Sequence, residues 1–353
     1  MSISGGIPAT DERALLALAR GGDEGAFATL IAGRRSELHA HCYRMLGSVH
    51  DAEDAFQETM LRAWRALPRF EERSSFRSWL YTIATNTCLS AIEKRPKRVL
   101  PVDYGPAHDP NDPMAEPLVE SAWVEPYPDE ALGLEDGLTA PEATIEQRES
   151  VELAFVAALQ MLPGNQRAAL ILREVLGFSA AETAEALETT AAAVNSALQR
   201  ARKQLDDRLP ERSQQATLRS LGDARVRAIA SYYAAALERG DTEAVLGMVS
   251  EDMAWAMPPT PTWYRGHEAI RTFLETGPNT VVWRHRVTRA NGQLAIAGYI
   301  WDEDREVYGG FVIDVLTLRE DGQITEVDAF LDSAWLKRFG LPGDLPADTA
   351  ATD

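Results

Sequence analysis

Cysteine is nearly absent: the 353 residues include only Cys42 and Cys88. Two thiols in apolar, helix-like surroundings, with no metal-ligand spacing around them, argue against a disulfide framework and a thiolate metal site. They fit the buried thiols of a cytosolic protein. Long apolar runs are missing too, and the first residues carry no secretory signal pattern, so the chain is expected in the cytoplasm, without membrane attachment. No metal or cofactor is expected. Between residues 99 and 147 there is no Lys or Arg at all, against 12 Asp and Glu.

The net charge of −19 seems to exclude a nucleic-acid partner, but its distribution reverses that conclusion. Residues 1–98 carry 14 Lys and Arg against 12 Asp and Glu, and residues 148–212 carry 8 against 9. The acid lies in 99–147 and in 213–353, which holds 13 basic against 21 acidic residues. Residues 62–98 are locally basic, 9 against 3. A chain this long divides into two or three domains.

The most informative stretch is 162–205. Ala169, Leu170, Leu172 and Val175 form a helical stripe that stops at Gly177, where a left-handed cap is needed. Ser179 and Glu182 form a capping box for a helix over 180–187. Glu188-Thr189-Thr190 turns into a third helix, with Val194, Leu198 and Leu205 on its apolar face. Asn195, Ser196, Gln199, Arg200, Arg202 and Lys203 occupy the rest, offering amides for base edges and cations for phosphates. This is a helix-turn-helix; the bland alternative is a helical hairpin with solvated charges.

Residues 11–98 read as helical throughout. In the run from Asp51 to Leu67, one face holds Ala55, Phe56, Met60, Leu61 and Trp64, and the other shows Asp51, Asp54, Gln57 and Glu58 to solvent. Basic and aromatic residues then interleave at Arg69, Phe70, Arg73, Phe76, Arg77, Trp79 and Tyr81, a pattern suited to single-stranded nucleic acid. The alternative is that Trp64, Phe76, Trp79 and Tyr81 are core. Pro96 ends the last helix and leaves Lys94, Arg95, Lys97 and Arg98 unpaired by sequence neighbours, which favours DNA.

DAEDAFQETMLRAWRAL followed by RSSFRSWLYTIATNTCLSAI resembles region 2 of the extracytoplasmic-function group of sigma-70 factors. LPGNQRAALILREVLGFSAAETAEAL with AVNSALQRAR resembles their region 4. The resemblance implies a transcription initiation factor whose partners are core RNA polymerase, at the beta-prime clamp helices and beta flap, and promoter DNA. It implies Asp51, Asp54, Gln57 and Glu58 at the clamp helices, and Arg69 to Arg77, Trp79 and Asn86 at the melted minus-ten element. The helix from Thr190 would enter the major groove at the minus-thirty-five element, with Arg167 and Arg173 near its phosphates. Ala197 departs from the pattern, which often has Arg after the Ser at Ser196. The acidic, proline-containing segment 99–147 is read as a linker: a passive tether, or, as the resemblance implies, a strand threading the polymerase's basic channels.

After Arg212 the texture changes to helices at 223–238 and 241–249, then alternating strands, with Asp321-Gly322 as a hairpin turn. YYAAALERGDTEAVLGMVSEDMAW and YRGHEAIRTFL resemble SnoaL-like domains, which implies a helix-lined cone with a curved antiparallel sheet. Trp255, Met257, Trp263, Trp283, Tyr299, Trp301 and Phe330 are candidates to line a ligand pocket, with His285, Asp314 and Asp328 as its polar groups.

The expected fold is multidomain. A region 2 helical bundle (11–98), an acidic linker (99–147) and a region 4 helix-turn-helix (148–212) precede an α+β SnoaL-like cone (220–341). The expected function is that of a sigma factor, not an enzyme, modulated by the appended domain through protein contacts or a small ligand. Two competing readings are an isomerase or cyclase using Asp328 or His285, and a repressor that binds duplex DNA without polymerase.

Overall fold

The computed structural model describes residues 9–118, 123–132 and 148–352. They form two compact units: residues 9–97 with 131–132 and 158–208, and residues 98–118, 123–130, 148–157 and 209–352.

In the first unit, helices α1 (Ala9–Arg20), α2 (Glu24–Ala32), α3 (Arg35–Leu46), α4 (Val49–Ala66) and α5 (Phe76–Ile92) follow one another with short turns. Local chemistry sets their starts. Asp23 accepts from the Ala26 amide at 2.9 Å, Ser48 from Asp51 at 3.1 Å, and Ser75 from Ser78 at 3.0 Å. Gly47 ends α3 at φ 67°, and a Cβ there would lie 2.9 Å from Gln160 Cδ, so both conformation and space require glycine. Leu38, Cys42, Met45, Leu80 and Cys88 are wholly buried, the two thiols unlinked. Helix α5 stops at Ile92, before Pro96.

The same unit holds α6 (Gly164–Leu170), a wider turn over Ile171–Val175, α7 (Ala180–Ala186) and α8 (Ala191–Asp206). Gly177 takes φ 71°, Ser179 and Glu182 form the reciprocal capping box, and Thr190 caps α8. Ala169, Ala184 and Val194 make the small core that holds the turn.

The second unit carries α9 (Asp223–Glu238), α10 (Gly266–Thr276) and seven strands. These are β1 (Val249–Ala256), β2 (Trp263–Arg265), β3 (Trp283–Ala290), β4 (Gln293–Asp302), β5 (Val307–Leu318), β6 (Ile324–Leu331) and β7 (Asp344–Pro346). Their order is β2-β1-β6-β5-β4-β3, with β7 on β5. The sheet is mixed rather than wholly antiparallel: β1 and β6 run parallel, which the long chain between them allows. Gly322 turns between β5 and β6 at φ 90°. Apolar residues of α9, α10 and one sheet face close the core around Tyr233, Met253, Ile270 and Ile296.

The acidic segment is not a free tether over 99–118. Pro101–Tyr104 makes one helical turn, and the backbone amides of His108 and Leu118 donate to the carbonyls of Trp263 (2.7 Å) and Pro259 (3.0 Å). The Ala115 amide donates to Thr262 Oγ1 at 3.0 Å, and Trp123 Nε1 to the Pro259 carbonyl at 2.8 Å. Backbone groups carry most of this attachment, so charge patterning gave no sign of it. Residues 119–122 and 133–147 of that segment lie outside the described residues.

Candidate functional site

On α4 the predicted polar face is only partly solvent-exposed. Asp54 and Gln57 are exposed and Glu58 half-buried, with Gln57 Nε2 3.1 Å from Glu53 and Glu58 2.6 Å from Arg62. Asp51 is buried and ion-paired with Arg95, so it is not the solvent-facing acid expected of it, whereas Arg95 stays exposed with its charge paired. Position 51 sits in the first turn, where α4 is already packed. The apolar face likewise splits. Ala55 and Phe56 are core, whereas Met60, Leu61 and Trp64 line a surface groove with Phe27 and Phe56. Trp64 meets Phe27 at a tilt with ring centroids 5.2 Å apart, the Arg35 guanidinium lies 4.8 Å over Phe56, and Leu61 is 51% exposed. Glu53, Gln57 and Arg35 rim this groove.

Of the region 2 cations, Arg69, Arg73, Lys94 and Lys97 are exposed, Arg73 beside Glu71. Trp79 and Asn86 are half-buried; Trp79 stacks on Phe70 at 4.8 Å, and Phe76 and Tyr81 are core as the bland reading had it. Arg98 is buried, donating to the Trp123 carbonyl at 2.8 Å with Glu125 at 3.7 Å, so of the four cations expected at DNA three remain at the surface, Arg95 among them paired with Asp51, and Arg98 does not.

Arg77 turns toward the helix-turn-helix. Its Nη2 donates to the Leu176 carbonyl at 3.2 Å, and its guanidinium lies 5.1 Å from the Tyr81 ring and 4.7 Å from the Phe178 ring. Tyr81 and Phe178 themselves meet edge-on at 5.5 Å. Deeper in the same seam Arg167 is buried. It donates to Gln160 Oε1 at 2.5 Å, to the carbonyls of Gln160 (2.9 Å) and Leu162 (3.1 Å), and to that of Met45. Burial lowers its pKa to about 10, so the guanidinium stays charged. Arg173 donates to the Phe178 carbonyl. Neither Arg167 nor Arg173 is free to meet a phosphate, contrary to expectation. Sequence spacing showed arginines beside a helix-turn-helix but not the carbonyls that claim them.

The outer face of α8 matches the sequence reading. Thr190, Asn195, Ser196, Gln199, Arg200, Arg202 and Lys203 are exposed; Arg202 pairs with Glu174 across the turn, and Ser196 bonds back to the Ala192 carbonyl.

The second unit contains a cavity of about 240 Å³. Trp255, Met257, Trp283, His285 and Asp314 line it as expected. Trp263, Tyr299, Trp301, Phe330 and Asp328 do not. Trp263 packs on Ala254 and Ala256 and donates to the Gly105 carbonyl, Tyr299 donates to Pro342, Trp301 meets Tyr308, and Phe330 meets Trp335. Asp328 is buried among Glu326 and Asp103, whose charges add to desolvation in raising its pKa. Strand alternation explains the split: Ala329 lines the cavity, so its neighbours Asp328 and Phe330 point away. His285 stacks on Trp283 at 5.6 Å, and its Nδ1 lies 3.5 Å from Glu238 Oε1, too long for a well-formed hydrogen bond. Burial opposes ionisation of Glu238, but the backbone amide of His285, donating at 2.8 Å, and the amide and hydroxyl of Thr352 help hold its carboxyl below the usual range. Glu238, Phe273 and Phe311 had no signal in the sequence beyond lying on amphipathic elements.

Residues 30–98 match sigma-70 region 2, residues 152–205 match sigma-70 region 4, and residues 229–327 match the SnoaL-like domain. The fold is thus that of a sigma-70 subunit of RNA polymerase with an appended α+β domain. The chain is 43% identical over 317 residues to the ECF RNA polymerase sigma factor SigG of Mycobacterium tuberculosis, covering 88% of this chain and 82% of that one. It is 30% identical over 190 residues to the ECF RNA polymerase sigma factor SigW of Bacillus subtilis, covering 53% of this chain and 91% of the other. The crystal structure of the M. tuberculosis extracytoplasmic function sigma factor SigJ superposes with TM-score 0.54 at 22% identity, over 88% of this chain and 97% of that one, and so shares the fold. The chain belongs to the extracytoplasmic-function sigma factors, which direct promoter-specific transcription initiation.

Proposed function

We propose that core polymerase is engaged through the α4 face at Asp54, Gln57 and Glu58 and the adjoining groove, at the beta-prime clamp helices. In this reading α8 takes the minus-thirty-five element, and the exposed cations and Trp79 of region 2 take the melted minus-ten strand. The beta flap takes the region 4 module. No bond chemistry is assigned to any domain.

The observation that carries the proposal is the seam at Arg77, Phe178 and Arg167. Elements about 25 base pairs apart are separated by roughly 85 Å at ~3.4 Å per pair, far more than one packed unit of helices spans. The docked arrangement is therefore a resting form, and promoter engagement parts the two modules. The appended domain modulates this step, because residues 99–118, hydrogen-bonded along it, are withdrawn from the tether that joins the modules. Pull-down of core polymerase with run-off transcription tests the reading. Gln57→Ala with Leu61→Glu should abolish core capture while leaving duplex DNA binding by α8 intact; core capture by that variant would refute it.

A further inference from the structure

The cavity in the second unit has a composition that constrains its occupant. Its wall is apolar apart from His285 and Asp314, and no Lys or Arg lines it. An anion therefore has no partner there, and a cation would leave water for a wall with one carboxyl. Trp255, Phe273, Trp283 and Phe311 present flat faces and edges, with Trp283–Phe311 at 5.8 Å and Trp255–Phe273 at 5.4 Å. An apolar cavity of ~150 Å³ admits one benzene ring. The present one, at about 240 Å³, has room for two fused rings.

Asp314 supplies the polar handle. It is 4% exposed, and desolvation alone raises its pKa to about 7 with no hydrogen bond opposing it. Tyr233, from α9, feels its charge, yet the Tyr233 hydroxyl finds no partner among the described residues. The remaining ionisable groups on this side are His285 and, behind it, Glu238. A carboxylic acid in such a wall donates a hydrogen bond to a ligand oxygen.

One part of the lining comes from elsewhere in the sequence. Met114, half exposed, is the one lining residue from the segment that joins the two DNA-reading modules. It sits beside the Ala115 amide bond to Thr262, with the His108 bond to Trp263 behind it.

We propose that this cavity is a receptor site for a neutral two-ring molecule bearing one carbonyl, and that the linker segment, through Met114, is its lid. Occupancy holds the segment closed, so the length of free tether between the DNA-reading modules depends on the ligand. The proposal rests on the reading of the appended domain as the modulator.

The test uses the full chain without polymerase and 1-tetralone as the probe, followed by Trp fluorescence, with naphthalene and 2-naphthalenesulfonate as controls. Saturable 1-tetralone binding is expected, with naphthalene about five-fold weaker, the size of one hydrogen bond, and no binding of the sulfonate. Asp314→Asn, which keeps a donor, should bind 1-tetralone within about three-fold of wild type, and Asp314→Leu should bind it like naphthalene. Ala329→Leu, which fills the cavity, should abolish binding with circular dichroism unchanged. Hydrogen exchange at the His108 and Ala115 amides should slow on saturation. Met114→Gly should raise association and dissociation rates together by about ten-fold with little change in Kd, the signature of a lid. Absence of saturable binding, or binding indifferent to Ala329→Leu, overturns the receptor site. Unchanged exchange at both amides overturns the lid. Binding without any effect on run-off transcription overturns the modulator reading and leaves the site standing.

Discussion

The guanidinium of Arg77 lies 4.7 Å from the ring of Phe178, tying the helix that should meet melted DNA to the helix-turn-helix that should meet duplex DNA. The pair belongs to one packed seam, so a residue expected on single-stranded DNA is occupied by its own chain. Phe178→Leu keeps an apolar side chain, though a smaller one, and removes the cation–π and edge contacts, together worth about 1–2 kcal/mol. The docked-to-open ratio should fall about five- to thirty-fold. A fragment carrying both promoter elements should then bind the free chain more tightly, and α5 amides should exchange faster. Unchanged affinity and exchange would mean the seam does not limit promoter access.

Arg167→Ala should destabilise the first unit on the order of 3–5 kcal/mol in urea unfolding, because it strands the acceptors at Met45, Gln160 and Leu162. It should leave the salt dependence of DNA binding unaltered. A reduced salt slope would return Arg167 to the phosphates.

On α8, Arg200→Ala and Lys203→Ala should each lower the slope of log K against log salt by about 1, uniformly across sequences. Asn195→Ala should instead cost about 1–3 kcal/mol on the preferred promoter and relax the choice of base. Binding titrations at several salt concentrations on matched and mutated duplexes separate these effects.

The buried carboxyl of Asp314 fixes a pH dependence. Its pKa rises from about 3.9 in the unfolded chain to about 7 in the fold. Between those values the folded state binds more protons, so stability is fully present below about pH 4 and declines as pH rises through about 7. The contribution is on the order of up to 4 kcal/mol at ~1.4 kcal/mol per unit. Asp314→Asn should flatten the unfolding free energy of the second unit over that window. An identical slope in both proteins would place the titration elsewhere.

What the sequence by itself determined is the set of features written in local chemistry. The capping box at Ser179 and Glu182, the break at Gly177 and the Asp321-Gly322 turn depend on a few adjacent residues and form where expected, and of Thr189 and Thr190 it is Thr190 that caps the third helix. The exposed face of α8 follows from helical period alone, as does the helix over Asp223–Glu238. Tertiary structure decided the fate of long, charged and aromatic side chains, whose reach lets them find partners far along the chain. Arg95 found Asp51, Arg98 the Trp123 carbonyl, Arg167 the Met45 carbonyl and Arg77 the Phe178 ring. Strand alternation limited the cavity to one residue in two but could not say which faces of β5 and β6 were inward, and so Asp314 on β5 lines it while Asp328 on β6 does not. The attachment of residues 99–118 was invisible for a related reason. Backbone amides make it, and every sequence carries those alike.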